Sequence, residues 1–158
     1  CAKDGTITAA NSSSISDGAA ALVLMREGDA LAANKTVLAR VLAHATHSQE
    51  PEKFTVAPVG AINKLLTTLN WTTADVDLWE INEAFAMVTM CPIDDFKLDP
   101  AKVNINGGAC ALGHPVGSTG SRIILTLIHA LKRTGGKKGI AALCIGGGEA
   151  TAVAIELL

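Results

Sequence analysis

The sequence predicts an α/β fold, in which β-strands alternate with α-helices. Small residues predominate: 15 glycines and only 3% aromatic residues favour closely packed layers of sheet and helix over a bulky aromatic core. Short apolar runs alternate with stretches in which apolar residues recur at helical spacing, giving an element order of roughly βαβαβαβαββ. With 158 residues, 49% of them apolar, the chain is long enough for one compact domain.

The N-terminal half of the chain predicts two strands, each followed by a helix. Residues 19–25 form a short apolar run between turn-forming residues, which is typical of a buried strand, and a short helix is expected over residues 29–34. Residues 36–45 alternate loosely and are rich in valine and leucine, so they are predicted to form the second strand. Residues 58–69 place isoleucine and leucine at helical spacing behind a proline suited to a first helical turn.

The middle of the chain predicts a strand that leads directly into a helix. Residues 75–81 form the strand, and Asn82 is suited to cap a helix over residues 83–90. An acidic residue at the start of that helix is favourable near the positive end of its dipole. A brief strand is expected over residues 102–106, and a glycine-rich loop follows it.

The C-terminal part predicts an amphipathic helix and a β-hairpin. Apolar residues recur at helical spacing over residues 121–133, basic residues suit the end of that helix, and two glycines stop it. Residues 139–145 and 150–158 are apolar runs joined by three glycines and a glutamate. Such a pair of runs with a tight loop is typical of an antiparallel hairpin.

Composition and charge exclude several classes of function. The formal net charge is −2 and the basic residues are scattered, so no surface for nucleic acid or anionic membrane is predicted. No apolar run reaches the roughly 18 to 20 residues of a membrane-spanning helix and no signal peptide is visible, which predicts a cytoplasmic protein. The cysteines are far apart and form no CxxC pair, so neither a zinc site nor a disulfide framework is expected. Because the chain opens at Cys1, it is expected to be a piece of something longer.

The glycine-rich loop over residues 107–120 holds five glycines around one histidine, His114. Its spacing differs from that of dinucleotide-binding and Walker loops, which argues against a nucleotide phosphate site. A histidine just before a helix feels the positive end of the helix dipole, which favours neutral imidazole. His114 is therefore a candidate general base, with a turn histidine that caps backbone groups as the alternative.

Two other segments carry side chains suited to chemistry. Cys144 ends a predicted buried strand, and the three glycines after it leave backbone N–H groups free to stabilise an oxyanion. Its thiol is a candidate nucleophile or acid/base group, although a lone buried cysteine more often packs as a small hydrophobic residue. Asn82 could hold a water or a carbonyl, with helix capping as the alternative. His44 and His47 point to opposite faces of a predicted strand, so no shared metal ion is expected.

Three segments together resemble the signature loops of the thiolase family in order and spacing. They are residues 82–86 (NEAFA), residues 113–115 (GHP) and residues 144–148 (CIGGG). The resemblance extends back to residues 8–14 (TAANSSS) and 17–20 (DGAA), and it is closest to the acetyl-CoA acetyltransferase branch. It implies a layered αβαβα fold, of which this chain would hold mainly the C-terminal βαβαβαββ half with a mixed sheet.

The resemblance implies a reaction and a role for each site residue. Thiolases make or break a carbon–carbon bond beside a coenzyme A thioester, through an acyl group carried on a cysteine. His114 matches the histidine that activates this nucleophile, and with a water held by Asn82 it would form one oxyanion hole. Cys144 matches the second cysteine, which takes the α-proton in condensation and protonates the carbanion in cleavage. The Gly146 N–H would supply half of the other oxyanion hole, and Ser13 matches a serine that touches the pantetheine arm.

The resemblance also sets expectations for ligands, domains and assembly. Ala84 and Phe85 would lie at the substrate or coenzyme A site. The coenzyme A thioester is the substrate, and neither a cofactor nor a metal ion is implied. Residues 1–35 would end the N-terminal half of the fold and residues 36–158 would form the C-terminal domain. The complete protein is expected to be a homo-oligomer, a dimer or a tetramer.

The acyl-accepting cysteine of the family has no counterpart in this sequence. In thiolases it belongs to the N-terminal half, in a strand-to-helix context of small residues. Cys91 instead precedes a proline in a predicted loop, and Cys110 lies within the His114 loop. The chain by itself is therefore expected to be inactive, because activating an absent thiol gains nothing.

Two other functions fit parts of the sequence. A β-ketoacyl synthase relative would also have a Gly-His loop before a helix, but Pro115 and Cys144 favour thiolase. Decarboxylating synthases need a second histidine in a catalytic loop, and His44, His47 and His129 lie in none. A non-catalytic fragment that binds coenzyme A or a partner chain is the alternative from another class.

Overall fold

A computed structural model of the protein describes residues 4–158, so the first three residues of the predicted partial N-terminal domain, Cys1 among them, lie outside the described residues. Helices and strands alternate along most of the chain. The helices are α1 (Glu27–Ala32), α2 (Ala57–Leu69), α3 (Ala86–Phe96), α4 (Ala109–Leu112) and α5 (Thr119–Thr134). The strands are β1 (Ala39–Ser48), β2 (Leu78–Ile81), β3 (Lys138–Cys144) and β4 (Glu149–Leu157).

The four strands form one mixed sheet in the order β1-β4-β3-β2. Strand β4 pairs antiparallel with both β1 and β3, whereas β2 and β3 run parallel. The antiparallel β3–β4 pair is the hairpin predicted from two apolar runs joined by glycines, and that prediction is confirmed. The α/β class and the mixed sheet are confirmed as well.

Helices cover both faces of the sheet. On one face α2 buries Ile62 in a cluster with the sheet, and on the other face α5 buries Leu127 in a second cluster. Strand β3 contributes to both, because Ile140 faces the first cluster and its neighbour Ala141 faces the second. A strand that is buried on both faces needs apolar residues at every position, which explains its continuous apolar run.

The two long helices end where sequence signals predict. Helix α2 begins with Pro58 in its first turn and ends at Asn70, whose φ of 52° is left-handed. Helix α5 ends at Gly135, whose φ is 78°, after two basic residues in its last turn. The short helix expected over residues 29–34 is present as α1, which begins two residues earlier. Within residues 4–158, no helix is long and apolar enough to cross a membrane.

The strand predicted over residues 19–25 is wrong. This segment has no regular secondary structure, and its apolar side chains are exposed, Val23 by 89% and Leu24 by 76%. The backbone N–H and C=O groups of a strand need a neighbouring strand, and the described part of the chain pairs none with this segment. An apolar run indicates burial but cannot supply that neighbour.

Two predictions about α3 are also wrong. Asn82 does not cap the helix: α3 begins only at Ala86, and Phe85 occupies the cap position with a φ of −135°. Cys91 lies inside α3 instead of in a loop, although Pro92 follows it. The residue before a proline usually avoids helical geometry, but here Pro92 is buried and packing keeps the helix intact.

The short strand predicted over residues 102–106 is wrong too. A 3-10 turn ends at Lys102, and Val103 makes an isolated parallel bridge to Trp79. The chain then turns at Asn104, whose φ is 48°. Its side chain accepts from the Ile81 N–H and donates to the Ile81 carbonyl. These two hydrogen bonds replace the backbone hydrogen bonds that a longer strand would make to β2.

Candidate active site

Asn82 and Cys144 lie at the same edge of the sheet. Asn82 follows β2 directly, and its N–H donates to the carbonyl of Ala142 at 2.9 Å. Cys144 is the last residue of β3, two positions beyond Ala142. Since β2 and β3 are parallel neighbours, their carboxyl ends meet at one edge, where α/β proteins commonly bind ligands.

His114 is held at this edge by the start of α5. Its Nδ1 lies 2.8 Å from Oγ1 of Thr119, the first residue of the helix. A β-carbon at the next position, Gly120, would lie 3.8 Å from the Leu143 side chain, so the start of α5 packs beside the end of β3. The histidine loop and the Cys144 strand end are therefore neighbours.

A segment near the N-terminus joins the Asn82 loop to the His114 loop. The N–H and Oγ of Ser13 both donate to the carbonyl of Ala84, at 3.1 and 2.9 Å. The next carbonyl, that of Ser14, accepts from the His114 N–H at 2.8 Å. An isolated bridge from Ser12 to Phe85 continues the contact. The predicted substrate-side residues Ser13, Ala84 and Phe85 therefore lie together.

Gly113 is a position that other residues cannot occupy without strain. Its φ of 94° and ψ of 163° fall in a region that is essentially restricted to glycine. A β-carbon there would also overlap the Ser16 side chain. This close approach of the two loops fixes the backbone immediately before His114.

We expect Gly113→Ala to lower the free energy of unfolding by about 1–3 kcal/mol, because alanine adopts this backbone conformation only with strain. Chemical denaturation of the purified protein measures the change. Gly117→Ala is the matched control, since a β-carbon at Gly117 would meet no other atom within 4 Å. Equal stability of Gly113→Ala and wild type would contradict the assignment of strain.

Hydrogen bonding and burial favour a neutral His114 with a free Nε2. Thr119 is a residue only 3% exposed, and its hydroxyl donates its one hydrogen to the Pro115 carbonyl at 3.1 Å. With the hydroxyl hydrogen on the Pro115 carbonyl, a neutral imidazole carries its N–H on Nδ1, donates it to Thr119 and keeps the lone pair on Nε2. Burial lowers the pKa of His114 below its ordinary value, and the positive charge of Arg122 lowers it further.

Cys144 is a protonated thiol in this environment. Burial raises its pKa to about 11, although a backbone hydrogen bond acts in the opposite direction. At neutral pH the group therefore carries a proton that it can donate. It is a poor nucleophile in this state, because the thiolate is the reactive form.

The turn after Cys144 leaves a backbone donor free. Within the described residues, the hydrogen bonds of this turn come from Ile145, whose N–H donates to the Glu149 carbonyl, and Gly148, whose N–H donates to the Ile145 carbonyl. Gly146 is exposed at the tip, and a β-carbon there would meet nothing within 4 Å. Its N–H is available to a ligand at the sheet edge.

Arg122 and Glu80 belong to the site, and the sequence analysis missed both. Arg122 lies in the first turn of α5, and its Nη2 donates to Oδ1 of Asn82 at 3.3 Å. Its Nη1 is 3.9 Å from Oε2 of Glu80, which is 2% exposed within β2. Burial raises the pKa of Glu80 to about 7; Arg122 opposes this shift and Glu83 adds to it. A glutamate inside an apolar run was the signal that could have indicated the pair.

Family comparison identifies the chain. The family model described as "Thiolase, C-terminal domain" matches residues 35–157, and the model for the "Thiolase, N-terminal domain" matches residues 1–28. The chain belongs to the thiolase family. Among curated relatives, the mitochondrial acetyl-CoA acetyltransferase of Macaca fascicularis is 49% identical over 99% of this chain. The cytosolic acetyl-CoA acetyltransferase of Mus musculus is 47% identical over 96% of it.

Solved structures show the thiolase fold. The acetyl-CoA acetyltransferase of Bacillus anthracis superposes with a TM-score of 0.95 at 46% identity, over 99% of this chain and 40% of that one. The Acat5 thiolase of Ascaris suum in complex with coenzyme A superposes with a TM-score of 0.88 at 41% identity, over 99% and 41%. This thiolase chain spans little more than a third of its curated relatives, 36% of the Macaca protein and 38% of the mouse protein.

The other two described cysteines of this thiolase chain are not activated thiols. Burial raises the pKa of Cys91, and Asp95 and Asp94 raise it further. Burial also raises the pKa of Cys110, whose N–H donates to the Glu83 carboxylate at 3.2 Å, and Glu83 adds to the rise. Activated cysteines have a lowered pKa, so neither environment is that of a nucleophile.

The two histidines of β1 lie on the strand farthest from β2, and His47 reaches the same end of the sheet as Cys144, because both pair with Ala150 of β4. His44 is exposed, whereas His47 is half-buried and packs against Gly60 of α2, so they point to opposite faces of the strand. Across residues 4–158, no group of three or more His, Cys, Asp or Glu residues is arranged to hold a metal ion.

Proposed function

We propose that this chain supplies the C-terminal half of an acetyl-CoA acetyltransferase active site. The reaction is the reversible condensation and thiolysis of acyl-CoA through an acyl-cysteine whose nucleophile lies outside this chain. The observation that carries the proposal is the meeting, at one sheet edge, of a neutral imidazole, a protonated thiol and a carboxamide. We call "the complete enzyme" a polypeptide that contains this chain and the acyl-accepting cysteine.

His114 acts as the base that prepares the nucleophile. A thiol must lose its proton before it attacks a thioester. The free Nε2 of His114 accepts that proton, while Thr119 holds the other ring nitrogen. Once charged, the imidazolium and a water on Asn82 donate to the thioester oxygen, where negative charge develops in the enolate.

Cys144 transfers a proton to or from the reacting carbon. In thiolysis its thiol protonates the carbanion that leaves when the carbon–carbon bond breaks, and in condensation the same sulfur takes the α-proton. A pKa of about 11 suits the donor form at neutral pH. The Gly146 N–H donates to the second oxyanion, the one formed when the acyl-cysteine carbonyl is attacked.

The loop around Ser13, Ala84 and Phe85 holds the substrate. The hydrogen bond from the His114 N–H to the Ser14 carbonyl and the bridge from Ser12 to Phe85 support this assignment. We propose that the ligand is a coenzyme A thioester, which is a substrate, and that no cofactor or metal ion takes part. The coenzyme A bound in the Ascaris suum structure supports this ligand class.

Domain division, assembly and location complete the proposal. Residues 1–35 end the N-terminal half of the fold, and residues 36–158 form the C-terminal domain. The complete enzyme is a homo-oligomer, a dimer or a tetramer. We place it in the cytoplasm, as for the cytosolic mouse relative, although other relatives are named as mitochondrial.

We expect the purified 158-residue chain to show no thiolysis of acetoacetyl-CoA by free coenzyme A above a His114→Ala control. The complete enzyme should turn over the same substrates, because it adds the missing thiol. Loss of the enolate absorbance of acetoacetyl-CoA measures both, because the β-ketoacyl group is consumed while the number of thioesters rises. Turnover by the chain alone would show that one of its own cysteines is the nucleophile. An inactive complete enzyme would contradict the proposed function. Calorimetry with coenzyme A would then test the alternative, a non-catalytic fragment that binds coenzyme A.

A further inference from the structure

Arg122 is a partly buried cation that faces a fully buried carboxylate. Its side chain is 20% exposed and faces Glu80, whose side chain is 2% exposed. Nη1 is buried and makes no hydrogen bond to any of residues 4–158. A buried ion pair with incomplete hydrogen bonding contributes little to stability, because desolvation offsets the attraction. The pair therefore calls for an explanation other than stability.

The contact between Arg122 and Asn82 fixes which way the carboxamide points. Amide oxygen and nitrogen are usually hard to tell apart, and their assignment depends on hydrogen-bond partners. A guanidinium has only donors, so the atom of Asn82 that faces Nη2 at 3.3 Å must be the oxygen. The NH2 group then points away from Arg122.

We propose that Arg122 is a positioning residue, which holds the Asn82 oxygen so that the Asn82 nitrogen is presented to the substrate side as a donor. Glu80 accompanies this cation in the buried layer behind Asn82. The inference rests on the proposed function for the use of that donor, whereas the orientation of the amide can be tested without turnover.

The same guanidinium also acts on the neighbouring base. Arg122 is the charged group that lowers the pKa of His114, next to the larger effect of burial. Glu80, on β2, faces Arg122 from the other side, and Thr119 contacts the imidazole. Arg122 thus affects both members of the first oxyanion hole, one by a hydrogen bond and one by its charge.

A double-mutant cycle in the complete enzyme tests whether Arg122 acts through Asn82. Arg122→Met is expected to lower kcat about tenfold or more in wild type, the scale of a lost hydrogen bond to a charged group, but by less than about threefold in an Asn82→Ala background. A purely structural arginine would give the same loss in both backgrounds. That additive result, or wild-type kcat in Arg122→Met, overturns the proposal.

Two further variants control this cycle. Arg122→Met leaves Glu80 without its cation, so the pair Glu80→Gln/Arg122→Met removes both charges and should show the same loss if the single variant does not fold. Arg133→Met is the matched control on the same helix, where Arg133 also donates to an asparagine oxygen, that of exposed Asn106. It should keep wild-type kcat.

The orientation is tested separately in this chain by NMR. The side-chain NH2 signals of Asn82, assigned by their loss in Asn82→Ala, should give one sharp pair in wild type and in Arg133→Met. In Arg122→Met they should shift and broaden, because the amide is then free to flip. Unchanged signals overturn the proposal. An inactive complete enzyme combined with the expected NMR change would reject the proposed function and leave the positioning by Arg122 intact.

Discussion

Replacing His114 by alanine in the complete enzyme is expected to lower kcat/KM for thiolysis by at least about 100-fold, the scale of a lost general base. The thiol of the nucleophile would then have to lose its proton to water. The fall should appear in the acylation half-reaction, in which the cysteine must be a thiolate to attack the thioester. Steady-state kinetics with acetoacetyl-CoA and coenzyme A measure it.

His129→Ala is the matched control for this prediction, since His129 lies exposed on the same helix, α5. It should keep wild-type kinetics. A His114→Ala enzyme within threefold of wild type would remove the histidine from the mechanism. Loss of activity in both variants would instead indicate that damage to α5, and not loss of the base, is responsible.

The pH profile of the wild-type complete enzyme also tests the role of His114 as a general base. A base must be neutral, so activity is present above the pKa of His114 and is lost as the pH falls through it. Burial and Arg122 both lower that pKa, which places the acidic limb below the ordinary histidine value of 6.5. An acidic limb at or above that value would mean that the environment of His114 differs from the one described.

Local sequence patterns were sufficient for much of the fold. Helices α2 and α5 and the β3–β4 hairpin are specified within their own segments, by apolar spacing, a proline at the start and glycines or asparagine at the end. The strand expected over residues 19–25 failed because pairing depends on a neighbour distant in sequence. The prediction that Asn82 caps a helix was wrong because packing, and not the residue itself, decides where α3 begins.

The candidate site, like the fold, could be predicted only in part from the sequence. The sequence placed Asn82 and Cys144 each at the carboxyl end of a strand, whereas the parallel pairing that brings the two strand ends together is seen only in the sheet. The side chains that contact the site residues could not be predicted from the sequence. Arg122 is 40 positions from Asn82, and only the packing of α5 against β2 brings its guanidinium to the carboxamide. Thr119 was predicted only as part of the glycine-rich loop over residues 107–120, whereas in the structure its hydroxyl contacts the imidazole of His114.

We expect Cys144→Ala in the complete enzyme to lower the rate of carbon–carbon bond cleavage by at least about 100-fold while sparing acyl transfer. Breaking the bond releases a carbanion that needs a proton, and the protonated thiol supplies it. Moving an acetyl group between acetyl-CoA and labelled coenzyme A forms no carbanion. That exchange should therefore continue in Cys144→Ala, as should both reactions in the control variant Cys91→Ala.

The two assays together separate the roles of His114 and Cys144. His114→Ala should lose both the exchange of labelled coenzyme A and the cleavage, because the nucleophile must be activated in each. Cys144→Ala should lose cleavage alone. If Cys144→Ala also stopped the exchange, its thiol would be required to form the acyl-enzyme, and a proton donor to carbon would be the wrong description. If cleavage survived, the proton would have to come from elsewhere, and burial of this thiol beside a free Gly146 N–H would have no chemical purpose.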